Sequence, residues 1–264
     1  MRYGLNGYHN PDVLAEIATK GFNLLRIRLH KGDTPAAVVE TVRACGFQPL
    51  VIVRDEGQVR ELGSLLAGAD VELWNEPDGA VDGKIAPSDY AARVPDFVAA
   101  VTEVLATPWI AAVSNLHRAG LAWLKQMFAL LPPGIDCGVT IHRYPAGRSW
   151  DTPHEGFGSR DEEIAALREI IGERRWACSE FGYHTASQIR TRLLPRNFPG
   201  NAWRWTDEEV ATHVRQEWRF WAEHGAEFAV LYQVIDGQTD TREDRFGIRR
   251  LDGSYKPVAD TLSA

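Results

Sequence analysis

The chain has 264 residues, 44% of them hydrophobic, and a formal net charge of −7. The length suits one α/β barrel of about 250 residues, and the hydrophobic fraction suffices for a substantial core. The acidic balance argues against a general nucleic-acid binder, which neutralises phosphates with a basic surface, and no run approaches the ~20 apolar residues of a membrane span.

In chain order, short apolar runs alternate with stretches of helical periodicity. The runs cover residues 3–8, 23–29, 48–54, 71–75, 109–114, 137–142, 175–179 and 228–235. Between them, residues 11–20, 35–45, 58–67, 88–106, 121–131, 161–171 and 206–224 place apolar side chains three to four apart. This alternation is the mark of parallel βαβ units. Gly21, Gly46 and Gly225 each follow a helical stretch and precede a run, where a left-handed cap is wanted. Residues 257–262 read as a short closing helix. Eight units without a composition break or internal repeat predict a single (β/α)8 TIM barrel over residues 1–264. Residues 1–6 lack the apolar centre of a signal peptide and lead into the first strand. A cytoplasmic protein is expected if that is the native start; a removed leader would leave the same sequence. Cys45, Cys137 and Cys178 have no metal-ligand spacing and cannot all pair, so buried free thiols are expected.

Two glutamates stand out, in Trp74-Asn75-Glu76-Pro77 and Ser179-Glu180-Phe181-Gly182. Each closes a run that reads as a buried strand, where a carboxylate costs folding energy unless something pairs with it. Two carboxylates aimed at one barrel mouth suit acid/base or nucleophilic work on a sugar acetal. The long connections after strands four, six and seven, residues 77–87, 145–160 and 182–205, fall on the carboxyl face where barrel sites form.

Asn75-Glu76 ending strand four and Glu180 ending strand seven resemble the pattern of clan A glycoside hydrolases, the cellulase-like barrels that include families 5 and 39. His142-Arg143-Tyr144 resembles that clan's His-x-Tyr, and the stretch from Phe246-Gly247 to Lys256-Pro257 resembles its loop after strand eight. The resemblance implies a retaining β-glycosidase that is endo-acting on a β-linked polysaccharide or oligosaccharide. Glu76 would be the acid/base and Glu180 the nucleophile. Retention needs the two carboxyls about 5–5.5 Å apart, and their mutual repulsion lets the acid hold its proton near neutrality. Tyr144 would hold the nucleophile, His142 would border the sugar, and Asn75 would bond its 2-hydroxyl.

The clan also implies an arginine on strand two beside the nucleophile. Alternation sends Arg26 and Arg28 to one face, and Arg28, nearer the carboxyl end, is the expected partner with Arg26 its competitor. Where the clan has a tryptophan after strand eight this chain has Tyr232, a smaller floor for the sugar. Trp150, Trp203 and Trp205 on the long loops are the sugar-stacking candidates, while Trp123, Trp218 and Trp221 lie in helical patterns and read as core. Asn115 and His117 read as residues that cap the following helix. No cofactor is expected, a carbohydrate is the expected partner, and the chain is expected to act as a monomer. Two other readings remain: a divalent-metal sugar isomerase or epimerase using Glu76, His142, Glu180 and Asp236 as ligands, and a non-catalytic carbohydrate-binding barrel.

Overall fold

In the computed structural model, eight parallel strands close on themselves in sequence order: β1 (Arg2–Asn6), β2 (Leu24–Arg28), β3 (Gln48–Val53), β4 (Asp70–Leu73), β5 (Thr107–Val113), β6 (Gly138–Arg143), β7 (Trp176–Phe181) and β8 (Phe228–Leu231). Helices α1 (Pro11–Ala18), α2 (Pro35–Ala44), α3 (Glu56–Leu62), α4 (Pro87–Glu103), α5 (Arg118–Leu130), α6 (Arg160–Ile171) and α7 (Asp207–Glu223) lie between them in sequence. The structure describes residues 1–7, 10–29, 33–79, 83–145, 148–185, 205–239 and 243–262. This is the predicted (β/α)8 barrel. The closing helix is a 3-10 turn, Pro257–Asp260, shorter than its pattern implied. Among the described residues no helix is long and apolar enough to cross a membrane.

Polar residues punctuate the helix starts as side-chain capping requires. Asp55 accepts from the Gln58 amide, Ser159 from Glu162, and Thr206 and Glu209 form a reciprocal capping box. Gly21, Gly46 and Gly225 have φ of 93°, 87° and 74°, the left-handed turn that a side chain would resist.

Strand side chains divide by parity into two cores. One parity, with Leu25, Ile27, Val51, Val71 and Ile141, packs against the helices together with Trp123, Trp218 and Trp221, as expected for those tryptophans. The other parity fills the barrel lumen, where Leu24, Leu50, Trp109, Ala177, Phe228 and Val230 form a fully buried layer. Trp109 fits there because β6 supplies Gly138, whose Cβ, if present, would sit 2.2 Å from the indole. Below it, Asp70 pairs with Arg2 and accepts from Trp109 Nε1 at 2.8 Å, closing the amino end. Cys137 and Cys178 are buried free thiols, while Cys45 is half-buried because it sits at the exposed end of α2.

Substituting Gly138→Ala forces a methyl into the indole and should destabilise the fold by about 1–3 kcal/mol, the ordinary range for overpacking. The measurement is the urea unfolding midpoint; an unchanged midpoint would mean the lumen has slack beside Trp109.

Candidate active site

The two glutamates reach the mouth because the backbone departs from regular strand at both. β4 stops at Leu73, two residues before the sequence run ends, and the chain turns through left-handed conformations at Trp74 (φ 63°) and Glu76 (φ 49°). Such conformations cost about 1–3 kcal/mol each and persist only where the surroundings impose them. The surroundings here are on β5, which has its own irregularity: Ala112 is an extra residue, and Ala111 and Ala112 have φ of 84° and 38°. Glu76 N donates to Ala112 O at 3.1 Å, and Asp78 accepts from both the amide and the hydroxyl of Ser114 at 2.7 and 2.9 Å. Tyr90 on α4 joins the two strands, donating to Leu73 O and accepting from Ala111 N, both at 2.8 Å. Burial pushes the Tyr90 phenol well above its usual range, so it remains protonated and can make both bonds.

Glu180 depends on a bulge. Ile141 pairs with Cys178 but His142 pairs with Glu180, so Ser179 is the extra residue on β7. Ala177 faces the lumen and Cys178 the helices, and strict alternation would send Glu180 to the helices as well. The extra residue re-aims it into the barrel mouth, a familiar use of bulges. There Glu180 Oε2 accepts from Arg26 Nη1 at 2.6 Å and from Asn6 Nδ2 at 2.9 Å, and Oε1 accepts from the Tyr144 hydroxyl.

Arg26 sits at the centre of these contacts, its side chain 1% exposed. Nε and Nη2 donate to Glu72 Oε2 at 2.8 and 2.5 Å, and Nη2 also reaches Asn75 Oδ1 at 2.8 Å and His142 Nε2 at 3.3 Å. On its other side the His142 ring faces Glu76, with Nδ1 3.0 Å from Glu76 Oε1. Burial works to lower the Arg26 pKa, but Glu72 and Glu180 outweigh it and raise it. Burial, and then the Glu180 charge, hold the Tyr144 phenol well above its usual value, so it stays a donor.

Arg28, the arginine expected beside Glu180, is not the one that meets it; Arg26 is. Parity was read rightly, but two residues along a strand is about 6.6 Å of height, and parity says nothing of height. Arg28 instead lines a cavity of about 760 Å³ that opens from Asn75 past Trp74, Ile52 and Arg54. That volume lies within the usual range for ligand pockets.

Tyr232 stands beside the site, edge-on to Tyr144 at 6.4 Å and to Phe246 at 5.5 Å. Gly182 leaves room for this group: a Cβ there would lie 2.8 Å from both Phe246 and Tyr232 O. The loop tryptophans are placed less centrally. Trp150 packs partly against the core, with the Arg160 guanidinium 5.9 Å from its ring and Arg160 Nη1 donating to its carbonyl at 2.8 Å. Trp205 stands edge-on to His213 of α7 at 4.3 Å. Trp203 lies outside the described residues. Asn115 clamps the Tyr144 backbone in both directions, at 3.1 and 3.3 Å, and His117 caps α5.

Asn6, Glu72, Tyr90 and Trp74 were not singled out in the sequence. Glu72 had a signal, an acid at lumen parity inside the apolar run Val71-Glu72-Leu73. Among the described residues, no three of His, Cys, Asp and Glu gather as a metal-ligand set.

No family model matches the sequence, and no curated protein matches it. Solved structures do match the fold. A family 128 (subgroup II) endo-β-1,3-glucanase from Sorangium cellulosum superposes with a TM-score of 0.66 at 15% identity, covering 100% of this chain and 98% of that one. A family 17 β-1,3-glucanosyltransferase from Rhizomucor miehei gives 0.67 at 13% identity over 97% and 96% of the two chains. A fungal β-1,4-galactanase gives 0.69 at 10% identity over 100% and 99%. What this chain shares with these glycoside-active enzymes is the fold, a closed (β/α)8 barrel.

Tyr90→Phe would strand the Leu73 carbonyl and the Ala111 amide in the core. The expected cost is about 1–3 kcal/mol for the unmade bonds, read in the urea midpoint. No loss of stability would show that β4 and β5 hold their turns without the Tyr90 hydroxyl.

Proposed function

We propose that this chain is a retaining β-glycoside hydrolase working by double displacement, with Glu180 the nucleophile and Glu76 the acid/base. The observation that carries the reading is the seat of Glu180, whose two oxygens are held by Arg26, Asn6 and Tyr144 while His142 faces Glu76. Glu180 would attack the anomeric carbon as Glu76 protonates the departing oxygen. Glu76 would then take a proton from the water that releases the sugar. Asn75, oriented by Arg26, would meet the 2-hydroxyl, with His142 bordering the ring and Tyr232 beneath it. The expected separation of the two carboxyls is about 5–5.5 Å.

The substrate class we favour is β-1,3-linked glucan, because two of the neighbours named above act on such chains, with β-1,4-galactan the runner-up. The cavity beyond Asn75 gives space for sugars on one side of the scissile bond, which fits endo action. Trp150, Trp203 and Trp205 would serve the cleft walls. The chain would act as a monomer. A metal-dependent isomerase is disfavoured by Asp236, whose Oδ1 accepts from Lys256 Nζ and the Gly247 amide, both at 2.8 Å.

Aryl β-glycosides and laminarin, curdlan and galactan should be tested in excess chelator, with product size and product anomer followed by NMR. Hydrolysis with retained β configuration is expected. Activity that needs added metal would favour the isomerase, and binding without turnover the silent barrel. Glu180→Gln should abolish turnover. Glu76→Ala should still be glycosylated by substrates with good leaving groups, and azide should rescue it to a β-glycosyl azide. Rescue of Glu180→Ala to an α-glycosyl azide would identify Glu180 as the nucleophile by the complementary route, whereas β-azide from that variant would reverse the two roles.

A further inference from the structure

Glu72 touches no reacting atom in the mechanism above, yet it is fully buried directly behind the nucleophile's partner. Burial pushes its pKa up, but the Arg26 guanidinium bonded to it outweighs burial and brings it below the ordinary carboxylate range. It is therefore a buried anion. Its Oε2 takes two of the guanidinium's nitrogens, Nε and Nη2, and leaves Nη1 for Glu180. Arg26 is thus shared between a carboxylate sealed in the lumen and a carboxylate at the mouth.

We propose that Glu72 is the standing counter-ion of Arg26, a positioning residue that keeps the guanidinium paired and in place while Glu180 carries no charge. The inference rests on the double displacement proposed above. When Glu180 attacks, its lone pair forms the bond to the anomeric carbon. The bond from that carbon to the leaving oxygen breaks, and that oxygen takes the proton from Glu76. Glu180 is then a neutral ester, and Arg26 has lost one of its two anions. A buried guanidinium with no anion is strongly disfavoured. Glu72 ensures that one remains, and through Nη2 it also keeps Asn75 and His142 where Arg26 holds them. In the second step water gives its proton to Glu76 and its oxygen to the sugar, and Glu180 regains its charge. The charged and titratable groups around Arg26 are Glu72, Glu180, His142 and Tyr144, with Glu76 beyond His142.

The two steps should therefore respond oppositely to loss of Glu72. In Glu72→Gln the first step consumes the last anion beside Arg26, and the second restores it. With 2,4-dinitrophenyl β-laminaribioside, kcat/KM, which reports the first step, should fall by about 100-fold or more. The second step should not slow, so any burst of dinitrophenol shown by the parent enzyme should vanish. One negative charge fewer beside Glu180 should also move the acid limb of kcat/KM to lower pH. A Glu72 that merely supports the fold would slow both steps together and leave the acid limb where it was. That result overturns the proposal.

A measurement on the unaltered enzyme covers the case in which Glu72→Gln does not fold. Trapped with the 2-deoxy-2-fluoro analogue of the same glycoside, its crystal structure should show Arg26 still bound to Glu72 through Nε and Nη2. A guanidinium swung away from Glu72 in the trapped ester would sink the idea. Unaltered enzyme that never turns the glycoside over fails the double displacement itself. Turnover by the unaltered enzyme, with Glu72→Gln indistinguishable from it, fails only the role of Glu72.

Discussion

The Arg26 guanidinium marks the level at which the barrel changes from packed hydrocarbon to chemistry. Beneath it lie Leu24, Leu50, Trp109 and Phe228, and above it the mouth opens. Removing such a cation from water costs several kcal/mol, and only well-placed acceptors make it tolerable. The groups around it come from strands far apart in sequence: Glu72 on β4, Asn75 just past its end, His142 on β6 and Glu180 on β7. A side chain with five donors in one plane can hold four such groups in fixed relation, which a lysine ammonium could not. The relative placing of both glutamates thus follows from how one guanidinium is satisfied.

That arrangement demands local irregularity. A regular strand alternates its side chains, so consecutive positions cannot both face the lumen. The extra residues Ala112 on β5 and Ser179 on β7 break the alternation where the site needs it. The left-handed turn at Trp74 and Glu76 does the same after β4. The departures at β4 and β5 are stabilised by the Tyr90 hydroxyl, from outside the barrel, and by Asp78 on Ser114. The wall of the mouth has its own buried anchor. Glu217 on α7 holds Arg143 of β6 at 2.6 Å and Arg160 of α6 at 3.0 Å, and these arginines grip the carbonyls of Thr152 and Trp150 on the connecting loop.

The barrel was legible because parallel strands covered on both faces leave continuous apolar runs, and the helices between them keep their period. The placing of Glu76, Glu180, His142, Tyr144 and Tyr232 around one mouth was legible from motif and position. The choice between Arg26 and Arg28 was not, since alternation reports a face and the strands' stagger decides height. Asn6 was invisible for a related reason: a polar residue at a strand end looks like the start of a loop. Strand ends were misjudged where the backbone turns without glycine, at Trp74, and where a bulge prolongs pairing, at Ser179. Neither event leaves a mark in composition, because both are imposed by neighbouring strands.

The sealed amino end also governs traffic. Trp109, Phe228 and the Arg2–Asp70 pair pack the lumen shut at that end, so nothing passes along the barrel axis and exchange takes place at the carboxyl face. On the function proposed above, a severed fragment and its replacement would both be exchanged at that face. In such a cycle the fragment's residence there would set when an acceptor can reach the glycosyl-enzyme. A fragment that lingers would shut water out and rejoin the bond it left; one that departs promptly would open the place to water or to another sugar hydroxyl.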